Sequence, residues 1–326
     1  MSRPAPSAAL TLGLSLLAAS AGLGCAAGSG GGGPGGPAGQ ATDGAGRDKS
    51  GYSLFRPTPD DLLRRIDDTD DRGDRAGTPY TVDAGRVQVE VGLLNFGEDR
   101  RVPFENGVAV RGRRFDLGRT VAKVGVTNRL EAAIGLEALD IRRTRTGGGT
   151  DGGPAGGSTD VTVGLGDLSP RLKLNLVGND SGDFAVAAAP FLVVPTGGRG
   201  STTGALQGGF TVPVVVKLPA DFSLNLSPAV DWVRDRPGGD YGVDLIGTIN
   251  LSRDIIPDRV QGFVEFAPTL PAVPTPSRPV SRWAATADFG VTVAVSERML
   301  LDVGVYLGTT RASEDVAVTT GVTVRF

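Results

Sequence analysis

Histidine is absent from the 326 residues of this chain, and the absence removes whole classes of chemistry. Ser-His-Asp and Cys-His catalysis, His-ligated zinc and proton transfer through an imidazole all need a ring nitrogen that is not there. Cysteine occurs once, at Cys25, so no intrachain disulfide can form. Charge of one sign is missing as well: 33 basic residues face 36 acidic ones, no polyanion-binding surface is announced, and nucleic acid is not an expected partner. After Cys25 no apolar run approaches the roughly 20 residues that a spanning helix requires. If the chain crosses a membrane, it must do so as strands.

What is present begins with an export signal. Arg3 precedes an apolar stretch from Ala8 to Leu23 and small residues up to Cys25. Residues 1–24 are therefore read as a signal peptide. Cys25 stands where cleavage would occur and resembles a lipoprotein acceptor cysteine, although Gly22 replaces the usual Leu; lipidation and simple cleavage both remain open. Residues 25–52 read as a linker, its 28–46 portion dominated by Gly and Pro with little that could be buried. Residues 53–84 form a periplasmic N-terminal extension. Within it, Thr58, Pro59, Asp60 and Asp61 precede Leu62, Leu63 and Ile66, a combination that predicts a short helix over 59–67. An exposed linker helix is the simpler reading of it, and packing against a barrel mouth or plugging it is the alternative.

From Gly85 onward the pattern has period two. Twelve segments alternate apolar with polar or small side chains: 86–96, 115–126, 130–141, 168–177, 184–194, 209–218, 222–233, 241–253, 259–269, 283–295, 299–307 and 316–326. Successive side chains of a strand point to opposite faces. The last segment thus sets Val316, Val318, Val322, Val324 and Phe326 against Ala317, Thr319, Gly321, Thr323 and Arg325. One face suits lipid and the other suits water. The segments are longer than the ~5–6 residues of an average soluble strand and match the ~9–11 of a tilted transmembrane strand. Their connections alternate short and long, as outer-membrane barrels require. The expected architecture is all-β: a closed, antiparallel, up-and-down transmembrane barrel of about twelve strands over 85–326, in the outer membrane of a diderm bacterium. Outer-membrane lipid is its expected surroundings, and Val322, Val324 and Phe326 resemble the C-terminal signal read by the barrel assembly machinery.

Three stretches carry a closer likeness: TPYTVDAGRVQVEVGLLNF at 78–96, VAKVGVTNRLEAAIGLEAL at 121–139 and GLGDLSPRLKLNL at 164–176. Together they resemble the MetA-pathway-of-phenol-degradation family of outer-membrane barrels, over roughly 69–326. Val126 replaces the Leu more usual in that family's hairpin, and Thr69-Asp70-Asp71-Arg72 only partly matches its Thr-Asp-Arg-Pro segment. The resemblance implies a barrel with a transport role for small, hydrophobic or aromatic molecules. It brings no catalytic residues.

The polar faces converge on one interior. Glu90, Lys123, Glu131, Glu137, Arg171, Lys173, Asp231, Asp244, Glu265, Asp288, Asp302 and Arg325 are the expected lumen-lining groups. A buried lone charge costs several kcal/mol, so mixed signs imply pairing. Either the charges form a selectivity lining for an unidentified small solute, or they build an internal salt-bridge network that fills a narrow lumen. The second reading makes the protein a structural or lipid-anchored surface barrel without transport. The acidic run 67–74 fails the calcium-loop pattern and reads as a solvated stretch. Arg111, Arg113, Arg114, Arg142, Arg143 and Arg145 fall at the outer rim, either as solvated loop charge, the simpler reading, or as contacts for anionic lipid headgroups or anionic solutes. Trp232, Tyr241, Trp283 and Tyr306 lie near strand ends as girdle or core residues. No metal site, cofactor or enzymatic activity is expected.

Overall fold

The computed structural model describes residues 48–71, 77–99, 110–146, 158–198, 201–202, 204–234, 239–273 and 283–326. The signal segment, Cys25 and most of the Gly-rich linker lie outside the described residues. Among those described, twelve strands form a closed antiparallel barrel. They are β1 (Val87–Asp99), β2 (Val110–Gly125), β3 (Leu130–Thr146), β4 (Ser158–Gly164 and Ser169–Val177), β5 (Phe184–Val193) and β6 (Gln207–Thr211 and Val214–Leu218). The circuit continues with β7 (Phe222–Leu226 and Ala229–Arg234), β8 (Tyr241–Ile246 and Ile249–Ile256), β9 (Val260–Val273), β10 (Ala284–Ser296), β11 (Met299–Gly308) and β12 (Val316–Arg325). Closure comes from β12 lying antiparallel on β1, with Gln88 opposite Arg325 and Glu98 opposite Val316.

The barrel turns the usual polarity of a protein inside out. Leu172, Leu174, Leu176, Val230, Trp232, Ile249, Val264, Phe266, Phe289 and Val303 are exposed, whereas Gln88, Glu90, Lys123, Asn175, Asn250 and Thr323 are fully buried. Continuous apolar exteriors of this extent belong in a bilayer, because water would be driven off them. In β12 the odd-numbered residues Ala317 to Arg325 are buried and the even-numbered ones face outward, as the alternation predicts.

Two irregularities break that alternation. In β1 both Leu93 and Leu94 face outward, and the register against β12 shifts between Gly92 and Leu94. In β2 the register skips Gly118, whose φ of +67° suits a residue without a side chain. As a result Asp116 and Arg119, three residues apart, both face the lumen. A second feature is a line of interruptions across three neighbouring strands at Val212-Pro213, Ser227-Pro228 and Gly247-Thr248. Proline has no N–H to give to a ladder, so regular pairing stops there. The remaining amides still find carbonyls: Val212 donates to Pro228 (2.7 Å), Ser227 to Thr248 (3.0 Å) and Gly247 to Pro268 (3.3 Å).

Candidate functional site

The N-terminal extension does not hang free. In place of one helix over 59–67 it makes two 3-10 turns, Asp60–Leu62 and Asp67–Thr69, and Thr58 makes no capping bond. Leu62, Arg64, Ile66 and Thr69 between and within those turns are buried. The exposed-helix reading is thereby corrected: side chains on both sides of the segment find polar partners on the barrel wall, and an α-helix would turn some of them away.

Asp83 is the hub of the seating. Its carboxylate is fully buried and accepts from Lys49 Nζ at 3.2 Å, Arg64 Nη1 at 2.8 Å and the Arg64 amide at 2.8 Å, with Arg325 Nη1 of β12 at 3.6 Å. Burial lowers the pKa of Lys49, and its carboxylate partners oppose that shift. Arg64 goes on to donate to Asn128 Oδ1 (2.8 Å), the Asn179 carbonyl (3.0 Å) and Asp180 Oδ1 (2.5 Å), all in the short turns after β2 and β4. Arg65 reaches Asp254 (2.8 Å) and Asp258 (3.0 Å) at the β8–β9 turn, and Asp60 accepts from Arg298 (2.7 Å) at the β10–β11 turn. The segment therefore spans the short-turn mouth of the barrel. Gly125 makes room for it: a Cβ there would sit 2.2 Å from the Asp83 carbonyl oxygen.

A second network lies deeper. Lys123 Nζ contacts Glu90 and Asp71 and donates to the Thr69 carbonyl (3.0 Å); Lys173 Nζ donates to Asp71 (3.1 Å) and lies 3.7 Å from Glu131. Glu131 accepts from the Val82 amide (2.8 Å), Asn175 donates to the Pro79 carbonyl (2.9 Å), and Gln88 exchanges hydrogen bonds with Thr69 (2.8 and 3.1 Å). The acidic run read as solvated is thus partly inside: Asp71 is the counterion of two lumen lysines, while 72–76 lie outside the described residues. Burial pushes the Asp71 carboxyl up, but Lys123 and Lys173 outweigh it and hold it well below the ordinary carboxylate range. Asp70, accepting from Thr323 (2.7 Å), is raised well above that range by burial and by Glu90 beside it.

Of the expected lumen groups, Glu90, Lys123, Glu131, Lys173, Asp244, Glu265, Asp288, Asp302 and Arg325 are buried, and Arg171 and Asp231 half-buried. Glu137 pairs with Arg119 in the register, and its side chain lies outside the described residues. Cations and carboxylates mix on one wall, where Glu90, Asp116 and Glu131 on β1 to β3 stand among the basic groups, while the expected lumen groups on the other wall are acidic. Arg114, Arg119, Lys123, Arg171 and Lys173 stand on β2 and β4, and Asp231, Asp244, Glu265, Asp288 and Asp302 on β7 to β11. The sequence reading left out Lys49, Arg64 and Asp83, took Asp71 as part of a solvated run, and offered Tyr306 as girdle or core, whereas it is 8 % exposed and lines the lumen. Trp232, Tyr241 and Trp283 do face outward.

Beyond the plug lies a cavity of about 550 Å³. Asp71 and Thr78 form its floor, and Asn95, Arg114 and Asp116 border it toward the long-loop end. Arg114 is held there by Asp116 (2.9 Å) and Glu314 (3.2 Å). A volume of this order takes a small organic molecule. Among the described residues no cluster of three or more potential metal ligands occurs.

The barrel is similar to an outer membrane channel from Pseudomonas putida F1, with a TM-score of 0.50 at 14 % identity over 74 % of this chain and 95 % of that one. Weaker likenesses are the NanC porin (TM-score 0.43, 8 % identity, 73 % and 98 % covered) and the translocator domain of the autotransporter NalP from Neisseria meningitidis (0.43, 13 %, 74 % and 88 %). At these identities the likeness to the first speaks for the fold. A comparison with curated proteins finds no match. The apolar exterior of a closed barrel and this likeness together set the protein in the outer membrane. The family model described as "Putative MetA-pathway of phenol degradation" matches residues 70–326, from the plug's acidic run to Phe326, and the chain belongs to that family.

Proposed function

We propose that the protein is a passive outer-membrane channel for small organic molecules, working without covalent chemistry, with the N-terminal segment restricting its periplasmic mouth. The observation that carries this reading is the cavity of about 550 Å³ enclosed by a polar-walled barrel and floored by the seated segment. A barrel serving only as a scaffold has no need of such a chamber. In this reading the short turns face the periplasm, residues 1–24 direct export, and Val322, Val324 and Phe326 present the outward edge read by the assembly machinery. The mixed charges have two roles. Those on Lys123, Lys173 and Arg325 hold the segment, and those around the cavity meet the solute.

Planar-bilayer recording tests the reading. The wild-type barrel should give small conductance events, and Asp83→Asn, which removes the hub charge, should give larger or more frequent ones. Silence from both proteins, each shown to be folded by heat-modifiable gel mobility, would favour the structural barrel instead.

A further inference from the structure

We propose that the cavity holds a binding site for a small organic anion with a flat apolar body, such as an aromatic carboxylate, formed by Arg171, Arg119 and Phe191. The proposal rests on the channel reading for its biological sense and on the following geometry for its chemistry.

The other cations bordering the cavity are spent. Lys123 serves Glu90 and Asp71, Lys173 serves Asp71 and Glu131, and Arg114 serves Asp116 and Glu314. Arg171 and Arg119 have neither an ion pair nor a hydrogen bond among the described residues, and Nε of Arg171 is a buried donor without an acceptor. The two guanidiniums repel each other while Asp71, Glu90 and Asp231 attract Arg171 without reaching ion-pair distance, and a shared anion would supply the direct contact. Burying a charged donor without a partner costs free energy, so a site of this kind favours a ligand that supplies the missing oxygens.

The apolar half of the site follows from the register. Arg171 on β4 faces Phe191 on β5, which faces Gly209 on β6, which faces Asp231 on β7. The Arg171 guanidinium carbon is 5.8 Å from the centre of the Phe191 ring. Gly209 contributes no side chain, and a Cβ there would come within 2.7 Å of Phe191 Cε1 and 2.1 Å of Asp231 Oδ1. The Phe191 ring is thus framed by a guanidinium on one side and a bare backbone on the other. A carboxylate can take two parallel hydrogen bonds from a guanidinium while its ring packs on Phe191. Asp231, with a partner of its own, closes the far end of the row and keeps an anion on the Arg171 side; Glu137 stands opposite Arg119 in the register.

Benzoate is the probe, with benzyl alcohol as its neutral counterpart. Saturation-transfer NMR on the detergent-solubilised barrel should show benzoate binding more tightly than benzyl alcohol, and Arg171→Gln should weaken benzoate about tenfold or more while leaving benzyl alcohol unchanged. Arg119→Gln should weaken it less, and Phe191→Leu should weaken both probes. In bilayers with benzoate on one side, the reversal potential should show benzoate passing more readily through wild type than through Arg171→Gln. Equal benzoate binding by wild type and Arg171→Gln, in folded protein, overturns the site whether or not the barrel conducts. Silence in potassium chloride fells the channel reading alone, because the titration still decides the site. Equal loss of both probes in Arg171→Gln would mean a collapsed cavity and would also overturn the proposal.

Discussion

Lys123 and Arg171 are neighbours but one across the same sheet, separated only by Ala133, yet they live in different electrostatic regimes. At the plugged end the N-terminal segment brings Asp71 to Lys123 and Lys173, and Asp83 to Arg64 and Lys49. In the same cross-strand row Arg171, with Arg119, faces the cavity, and among the described residues neither makes an ion pair. A charged residue on the inner wall of a barrel is therefore not by itself a filter. Its role depends on whether another part of the chain has already neutralised it.

The comparison can be broken at its strongest point first. Asp83→Asn leaves Lys49 and Arg64 buried around a neutral amide and should weaken seating of the segment by about 3–5 kcal/mol, the range found when one partner of a buried ion pair is lost. Limited proteolysis should then cut between Asp60 and Asp71, where the wild type resists. Asp71→Asn is the milder lesion, because Glu90 and Glu131 still attend Lys123 and Lys173; a cost of about 1–3 kcal/mol is expected in the same assay.

The dependence on pH should be two-sided. Asp71 has a depressed pKa, so its contribution to seating is present above the ordinary carboxylate value of about 4 and lost as the pH falls below it. Asp70 has a raised pKa, so seating binds a proton and weakens as the pH rises through the raised value. Protease protection followed from acid pH upward should fall at both ends, and Asp70→Asn should reduce the decline on the rising side, to which Asp68, pushed up to about 7 by burial and by Asp67, also contributes. A profile unchanged by Asp70→Asn would place the titration elsewhere. The smallest effect belongs to Arg65→Gln. Arg65 is 36 % exposed and one of its partners, Asp258, is 79 % exposed, so the loss should be about 0.2–1 kcal/mol and shrink with added salt.

Much of the barrel was legible because a closed membrane sheet imposes one rule on every strand. Leu172, Leu174 and Leu176 against Arg171, Lys173 and Asn175 could be read directly, and the other strands follow the same logic. Local backbone events defeat that rule. The bulge at Leu93-Leu94 and the left-handed backbone of Gly118 cost the alternation one residue each, and their only trace is a pair of adjacent leucines and a glycine inside long strands. The placement of Tyr306 was ambiguous because an aromatic near a strand end serves either face. The plug was illegible for a different reason: Asp71 and Asp83 look like solvated acid until the lysines that need them are known to lie inside the barrel. No charge count announced it, because the side chains predicted inward already held more carboxylates than cations, and only the structure shows Lys123 and Lys173 sharing Asp71.

The plug also orders events in time. Asp83 lies near Arg325, Asp70 meets Thr323 and Asp60 meets Arg298, contacts that join the first described part of the chain to the last. Such distant pairings form late, since the intervening loop must be gathered before they return any free energy. The segment can complete its bonds only after the twelfth strand has met the first, so its docking is a molecular receipt for a finished cylinder. An unfinished barrel would display it as an open tail to periplasmic proteases.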